Sequence, residues 1–135
     1  MKIKQLAPGI LVILFAGMLY PAYADEFTRE DLKRWEGEYM SVVKKGRNLW
    51  TDPNLGTNGV ACAQCHPNAA NTHPETYPKF QKQLGRVIAL REMINWCLRN
   101  PLEGKELTAD DPKMVAIEAY VHWERRGVPL EPGKH

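Results

Sequence analysis

Cys62-Ala63-Gln64-Cys65-His66 constrains this chain more than any other stretch. Two cysteines three positions apart, followed at once by a histidine, match the spacing at which two thiols add to the vinyl groups of one haem while the next imidazole sits beneath its iron. The histidine–iron bond sets the ring plane, and the two thioethers keep the cofactor from leaving. Two other chemistries use paired cysteines. A structural zinc site needs a second ligand pair at similar spacing, and only one further cysteine, Cys97, is present. A redox dithiol of the thioredoxin kind needs a βαβ pattern around it, which this sequence lacks. Cys62 and Cys65 are therefore read as the covalent attachment and His66 as the fifth iron ligand, with one haem c as cofactor.

The start of the chain reads as an export signal. Lys2 and Lys4 give a positive head, Ile10 to Leu19 is an apolar core, and Ala22-Tyr23-Ala24 is a small-x-small cleavage site. An apolar run of about a dozen residues is short for a bilayer, so no permanent membrane span is expected, with an uncleaved anchor as the alternative. The expected organisation is a signal peptide over 1–24, cleaved near Ala24, and a monohaem domain over 25–135 in the periplasm, where such haems are attached. Without Lys2 and Lys4 the 18 basic residues fall level with the 16 acidic ones, and a balanced surface gives no reason to expect nucleic-acid binding. Attachment uses two of the three cysteines and leaves Cys97 over. A single unpaired thiol in an oxidising compartment requires an explanation.

Helical periodicity dominates the rest. Thr28 and Asp31 form a capping-box pair, and Leu32, Trp35, Tyr39, Val42, Gly46 and Leu49 recur at spacings of three and four to about Trp50. Gly46 on that stripe marks either a close helix contact or a helix end. Thr51 to Gly59 and Pro67 to Pro78 have loop composition. Lys79 to Arg99 reads as a second helix, with Phe80, Leu84, Val87, Ile94 and Leu98 on one stripe and Leu90, Ile94 and Cys97 extending its core side. Asn100-Pro101 ends it, and Asp111-Pro112 opens a last helix that runs to Arg126-Gly127. No strand-period run is visible. The expected fold is all-α, with three main helices around one covalently attached haem.

That order of elements resembles class I cytochrome c, a family in which a glycine on the first helix packs against an aromatic on the last; Gly46 and Tyr120 hold the matching places. Ile94-Asn95-Trp96-Cys97, Pro101 to Leu107, Asp110 to Met114 and Tyr120 further resemble the thiosulfate dehydrogenases and the diheme subunit of the Sox cytochrome complex. The resemblance implies that Cys97 is the distal haem ligand. Those proteins usually carry a second haem domain, whereas this chain has one attachment motif. In size and single haem it looks more like the small NaxLS cytochromes of anammox bacteria.

The remaining candidates for the sixth ligand are weaker by position. Class I cytochromes commonly use a methionine between the last two helices, and Leu102 to Asp110 has none. Met40, Met93 and Met114 fall on helices, where core packing is the usual role. His73 lies only seven residues beyond His66, His122 is on the last helix, and His135 is terminal. Cys97 is the favoured ligand. A small buried hydrophobe and an intermolecular disulfide remain its alternatives. Arg91 and Arg99 flank Cys97, each as a partner for a haem propionate or as a member of a solvated helix face.

A His66/Cys97-ligated haem implies low potential, because an anionic sulfur stabilises ferric iron. The leading expectation is a periplasmic electron-transfer cytochrome rather than an enzyme, working with a redox partner that is itself a c-type cytochrome subunit. The alternatives are the haem subunit of a thiosulfate-oxidising complex, and a haem that binds NO or CO by displacing Cys97.

Overall fold

A computed structural model of the chain describes residues 27–135. The expected signal peptide, 1–24, and its cleavage site lie outside the described residues. Among the described residues the chain forms four α-helices, two short 3-10 turns (Pro67–Ala69 and Pro74–Thr76) and one two-stranded hairpin: α1 (Arg29–Thr51), α2 (Cys62–Cys65), β1 (Lys79–Gln81), β2 (Arg86–Ile88), α3 (Leu90–Arg99) and α4 (Pro112–Glu124).

α1 starts where its cap requires. The Thr28 hydroxyl accepts from the Asp31 N–H at 3.0 Å, and the Asp31 carboxylate accepts from the Thr28 N–H, which together satisfy two of the free amides of the first turn. α4 starts the same way, with Asp111 accepting from the Lys113 N–H and Pro112 in the first turn. The two helices pack at Gly46. A Cβ there would lie 1.9 Å from the Ala116 carbonyl oxygen and 2.7 Å from Cβ of Tyr120, so only glycine permits the approach. Close contact, not a helix end, accounts for Gly46.

The buried row of α1 is Val43, Gly46 and Trp50. Leu32, Trp35 and Tyr39, expected on the core face, are 53%, 40% and 42% exposed. Length explains the difference. At about 1.5 Å per residue, 23 residues of α1 outrun the 13 of α4. The end of α4 reaches Tyr39, whose hydroxyl donates to the Ala119 carbonyl and whose ring meets Trp123, and Leu32 and Trp35 lie before that contact.

The stretch read as one long helix is a hairpin followed by a helix. β1 and β2 pair antiparallel with Lys79 opposite Ile88, Phe80 opposite Val87 and Gln81 opposite Arg86. Gly85 takes a φ of +67°, closing the turn, and β-branched Val87 and Ile88 suit a strand better than a helix. Phe80 and Val87, expected in the core, are 45% and 60% exposed. The fold is therefore mostly helical, not all-α. α3 begins at Leu90, where the Glu92 carboxylate accepts from the Ala89 N–H at 2.9 Å, and its buried stripe is Leu90, Ile94 and Leu98. Those three join Val43, Trp50, Met114, Ile117, Tyr120 and Val121 in one core.

Candidate haem site

α2 is a single turn that carries the attachment motif. The Gln64 side chain accepts from the Ala61 N–H at its start, and the His66 N–H donates to the Cys62 carbonyl at its end. Beyond His66 the chain reverses sharply. Asn68 and Ala69 take φ values of +50° and +55°, the left-handed region, which turns Ala70 back toward the motif. The result is a hydrogen bond from His66 Nδ1 to the Ala70 carbonyl oxygen at 2.8 Å. A carbonyl only accepts, so the ring proton is on Nδ1 and the Nε2 lone pair is free to bind a metal. Trp50 secures the same residue from α1, donating its indole N–H to the His66 carbonyl at 2.9 Å.

α3 supplies a second part of the site, with Leu90, Met93, Ile94, Trp96 and Cys97 lining the same cavity as His66. Its last turn is tied down by bonds from Leu102 N–H to the Cys97 carbonyl and from Gly104 N–H to the Leu98 carbonyl. Asn95 holds the connector alongside, donating to the Leu107 carbonyl and accepting from the Leu107 N–H. A second loop is stitched on from below: Thr57 donates to the Leu102 carbonyl through its N–H and to the Glu103 carbonyl through its hydroxyl.

Between these parts lies a cavity of about 300 Å³. Cys62, Cys65, His66 and Cys97 all line it. Trp50, Leu90, Ile94, Trp96, Leu102 and Val121 supply apolar walls. Burial, and then the neighbouring Cys97, push the Cys62 thiol up to about 11. Burial, and then Cys65, push Cys97 upward as well. The three thiols are thus close enough to influence one another, and burial holds Cys62 and Cys97 in the neutral form unless they are bonded.

The other histidines and the arginines stand elsewhere. His73 Nδ1 lies 2.9 Å from the Glu75 carboxylate, and His122 is exposed on α4. Arg91 is paired with Glu118 and Arg99 with Glu106, and neither lines the cavity. Met114 is fully buried in the core. Met93, expected to pack in the core, lines the cavity instead.

Lys79, Gln81 and Tyr77 were not legible as site residues. Strand alternation sends Lys79 and Gln81 to one face of β1, the cavity face, and Phe80 to the other. Lys79 Nζ stands 4.8 Å from the Tyr77 ring centroid, and the Gln81 amide donates to the Tyr77 hydroxyl at 2.8 Å. The signal that could have found them is the period-two run Lys79-Phe80-Gln81 before a Gly85 turn, which the helical reading absorbed.

A mostly helical fold whose Cys-x-x-Cys-His turn opens on an apolar cavity defines a class I cytochrome c-like protein. Residues 45–130 match the family model of the SoxA/TsdA cytochrome c domain, and the chain belongs to that family, whose cofactor is covalently bound haem c. It is 30% identical over 112 residues to a thiosulfate dehydrogenase of Allochromatium vinosum, covering 70% of this chain and 42% of that protein. It is 29% identical over 109 residues to the L-cysteine S-thiosulfotransferase subunit SoxA of Rhodovulum sulfidophilum, covering 78% and 38%. The structure of SoxXA from P. pantotrophus shares the fold, with a TM-score of 0.65 at 20% identity over 76% of this chain and 40% of the other. The chain therefore spans about two fifths of the length of these relatives.

The donor set fits the cofactor. Two thiols of one helical turn, an imidazole with its Nε2 left free and apolar walls of indole, leucine and isoleucine are what a covalently held haem requires.

Proposed function

We propose that this chain is a periplasmic monohaem electron-transfer cytochrome, with Cys62 and Cys65 holding the haem and His66 and Cys97 as its axial ligands. The observation that carries the reading is the convergence of those four side chains on one cavity while His66 keeps Nε2 free. Bound haem supplies a one-electron ferric/ferrous couple. The residues do the rest. The Ala70 carbonyl and Trp50 orient the imidazole, and a thiolate from Cys97 favours the ferric state and sets a low potential. Lys79 is the single Lys, Arg, Asp or Glu side chain on the cavity wall among the described residues, and it is the partner proposed for a haem propionate, with Tyr77 and Gln81 beside it.

The domain assignment of this reading is a leader over 1–24 and a cytochrome domain over 25–135. No helix among the described residues is long and apolar enough to cross a membrane. The proposed partner is another c-type cytochrome subunit, which the likeness to a SoxA subunit and to SoxXA supports.

Electron paramagnetic resonance and near-infrared magnetic circular dichroism of the ferric protein, beside Cys97→Ser, test the ligation. A low-spin thiolate signature that disappears in the variant is the expected result. Matching spectra from the two proteins would remove Cys97 from the iron.

A second reading is supported by the names of the relatives: this haem serves thiosulfate oxidation within a larger assembly. Joining two thiosulfates releases two electrons and one haem accepts one, so the chain needs a partner to complete that chemistry. Thiosulfate that reduces the ferric protein only when a second haem protein is added favours this reading over simple electron transfer.

A further inference from the structure

α3 presents two sulfur atoms to the cavity. Met93 precedes Cys97 by four residues, one helical turn, and both side chains line the wall shared with Cys62, Cys65 and His66. The three methionines among the described residues are used in different ways. Met114 is enclosed in the core and Met40 packs against its edge, whereas Met93 is half-buried, stands apart from the core cluster and faces the cavity. A thioether in that position is a soft, neutral donor as well as a packing group.

We propose that Met93 is an alternate sixth ligand, taking the iron when Cys97 is blocked or absent, so that the chain has two sulfur-ligated forms. The inference rests on the reading of Cys97 as the ordinary sixth ligand. Helix geometry favours the exchange. Side chains on a helix lean toward its N-terminus, so Cys97 leans back over the turn that Met93 occupies. The three rotatable side-chain bonds of methionine let its sulfur follow a shift of about one turn, ~5.4 Å. Cys97 Sγ would leave the iron as a thiolate that takes a proton from solvent, Met93 Sδ would bind in its place, and no electron is transferred. The axial sulfur changes from anionic to neutral, which raises the reduction potential.

The test uses the haem-loaded full chain as wild type, Cys97→Ala, Cys97→Ser, Met93→Leu and the Cys97→Ala/Met93→Leu pair, read by resonance, near-infrared dichroism and redox titration. Met93→Leu is expected to keep the thiolate spectrum of the wild type. Cys97→Ala is expected to stay low-spin, gain the near-infrared charge-transfer band of a methionine-bound ferric haem and shift upward in potential. Adding Met93→Leu should abolish the band and leave the iron high-spin. Cys97→Ser gives the same comparison if the alanine variant does not mature. Cys97 variants that are already high-spin or nitrogen-ligated, or that the second substitution leaves unchanged, overturn the proposal. A wild type whose methionine band is lost in Met93→Leu overturns the Cys97 assignment itself, a result distinct from the others.

Discussion

Lys79 shows how much one side chain on the cavity wall can matter. Its ammonium stands over the Tyr77 ring, and no Arg, Asp or Glu shares the wall with it. A unit charge about 10 Å away at an effective dielectric of about 20 is worth roughly 1.7 kcal/mol, which corresponds to some tens of millivolts for a one-electron couple. Lys79→Gln is expected to lower the reduction potential by that order, since removing a positive charge favours ferric iron, while leaving the ligation spectrum unchanged. Redox titration of the two proteins measures it, and an equal potential would take Lys79 away from the propionates. At this scale the motif itself was legible, because Cys62, Cys65 and His66 are neighbours in sequence. Lys79, Gln81 and Met93 were not, because each reaches the cavity only through the hairpin and the orientation of α3.

Among the elements, the α1–α4 crossing is the one most exposed to a single change. Gly46→Ala places a methyl against the Ala116 carbonyl and Tyr120, both backbone-fixed, so the helices must separate. Overpacking of this kind costs about 1–3 kcal/mol. The expected outcome is a lower denaturant midpoint with an unchanged slope, measured by urea unfolding of the haem-loaded protein; an unchanged midpoint would show that the crossing yields without strain. Trp50 lies on the same helix row as Gly46 and holds the His66 carbonyl, so a shift at the crossing should also broaden the haem spectrum. Capping and periodicity made α1 and α4 readable in advance. They failed over Lys79 to Ile88, where apolar residues at spacings of four and three mimicked a helix stripe. Strand pairing and the Gly85 turn decided otherwise.

Across the whole molecule, Glu75 ties distant parts together. It is buried, its carboxylate accepts from Arg125 at 3.0 Å and lies 2.9 Å from His73 Nδ1, and its own carbonyl accepts from the Glu131 N–H of the tail. Burial alone would raise its pKa, but the hydrogen bonds from Arg125 and then His73 overcome this and lower it from 4.5 to about 2. A carboxyl depressed in the folded state adds stability above its unfolded pKa and loses it as pH falls through the folded one. The contribution should therefore be complete above about pH 4.5 and disappear by about pH 2. Each pKa unit is worth about 1.4 kcal/mol, so the full effect is at most about 3.5 kcal/mol. Glu75→Gln is expected to lower stability at pH 7 and to flatten the acid limb between those values, which unfolding at several pH values would reveal. Parallel acid limbs in the two proteins would place the loss at another carboxylate.

The sequence by itself determined the cofactor and the local caps of α1 and α4, because each depends on residues a few positions apart, whereas it left Gly46 open between a helix end and the close contact that the structure shows. Tertiary structure alone decided that Met93 and Lys79 face the cavity beside Cys97. That choice depends on where a hairpin and a ten-residue helix come to rest in the fold, and side chains well separated in sequence acquire a common wall only when the core closes.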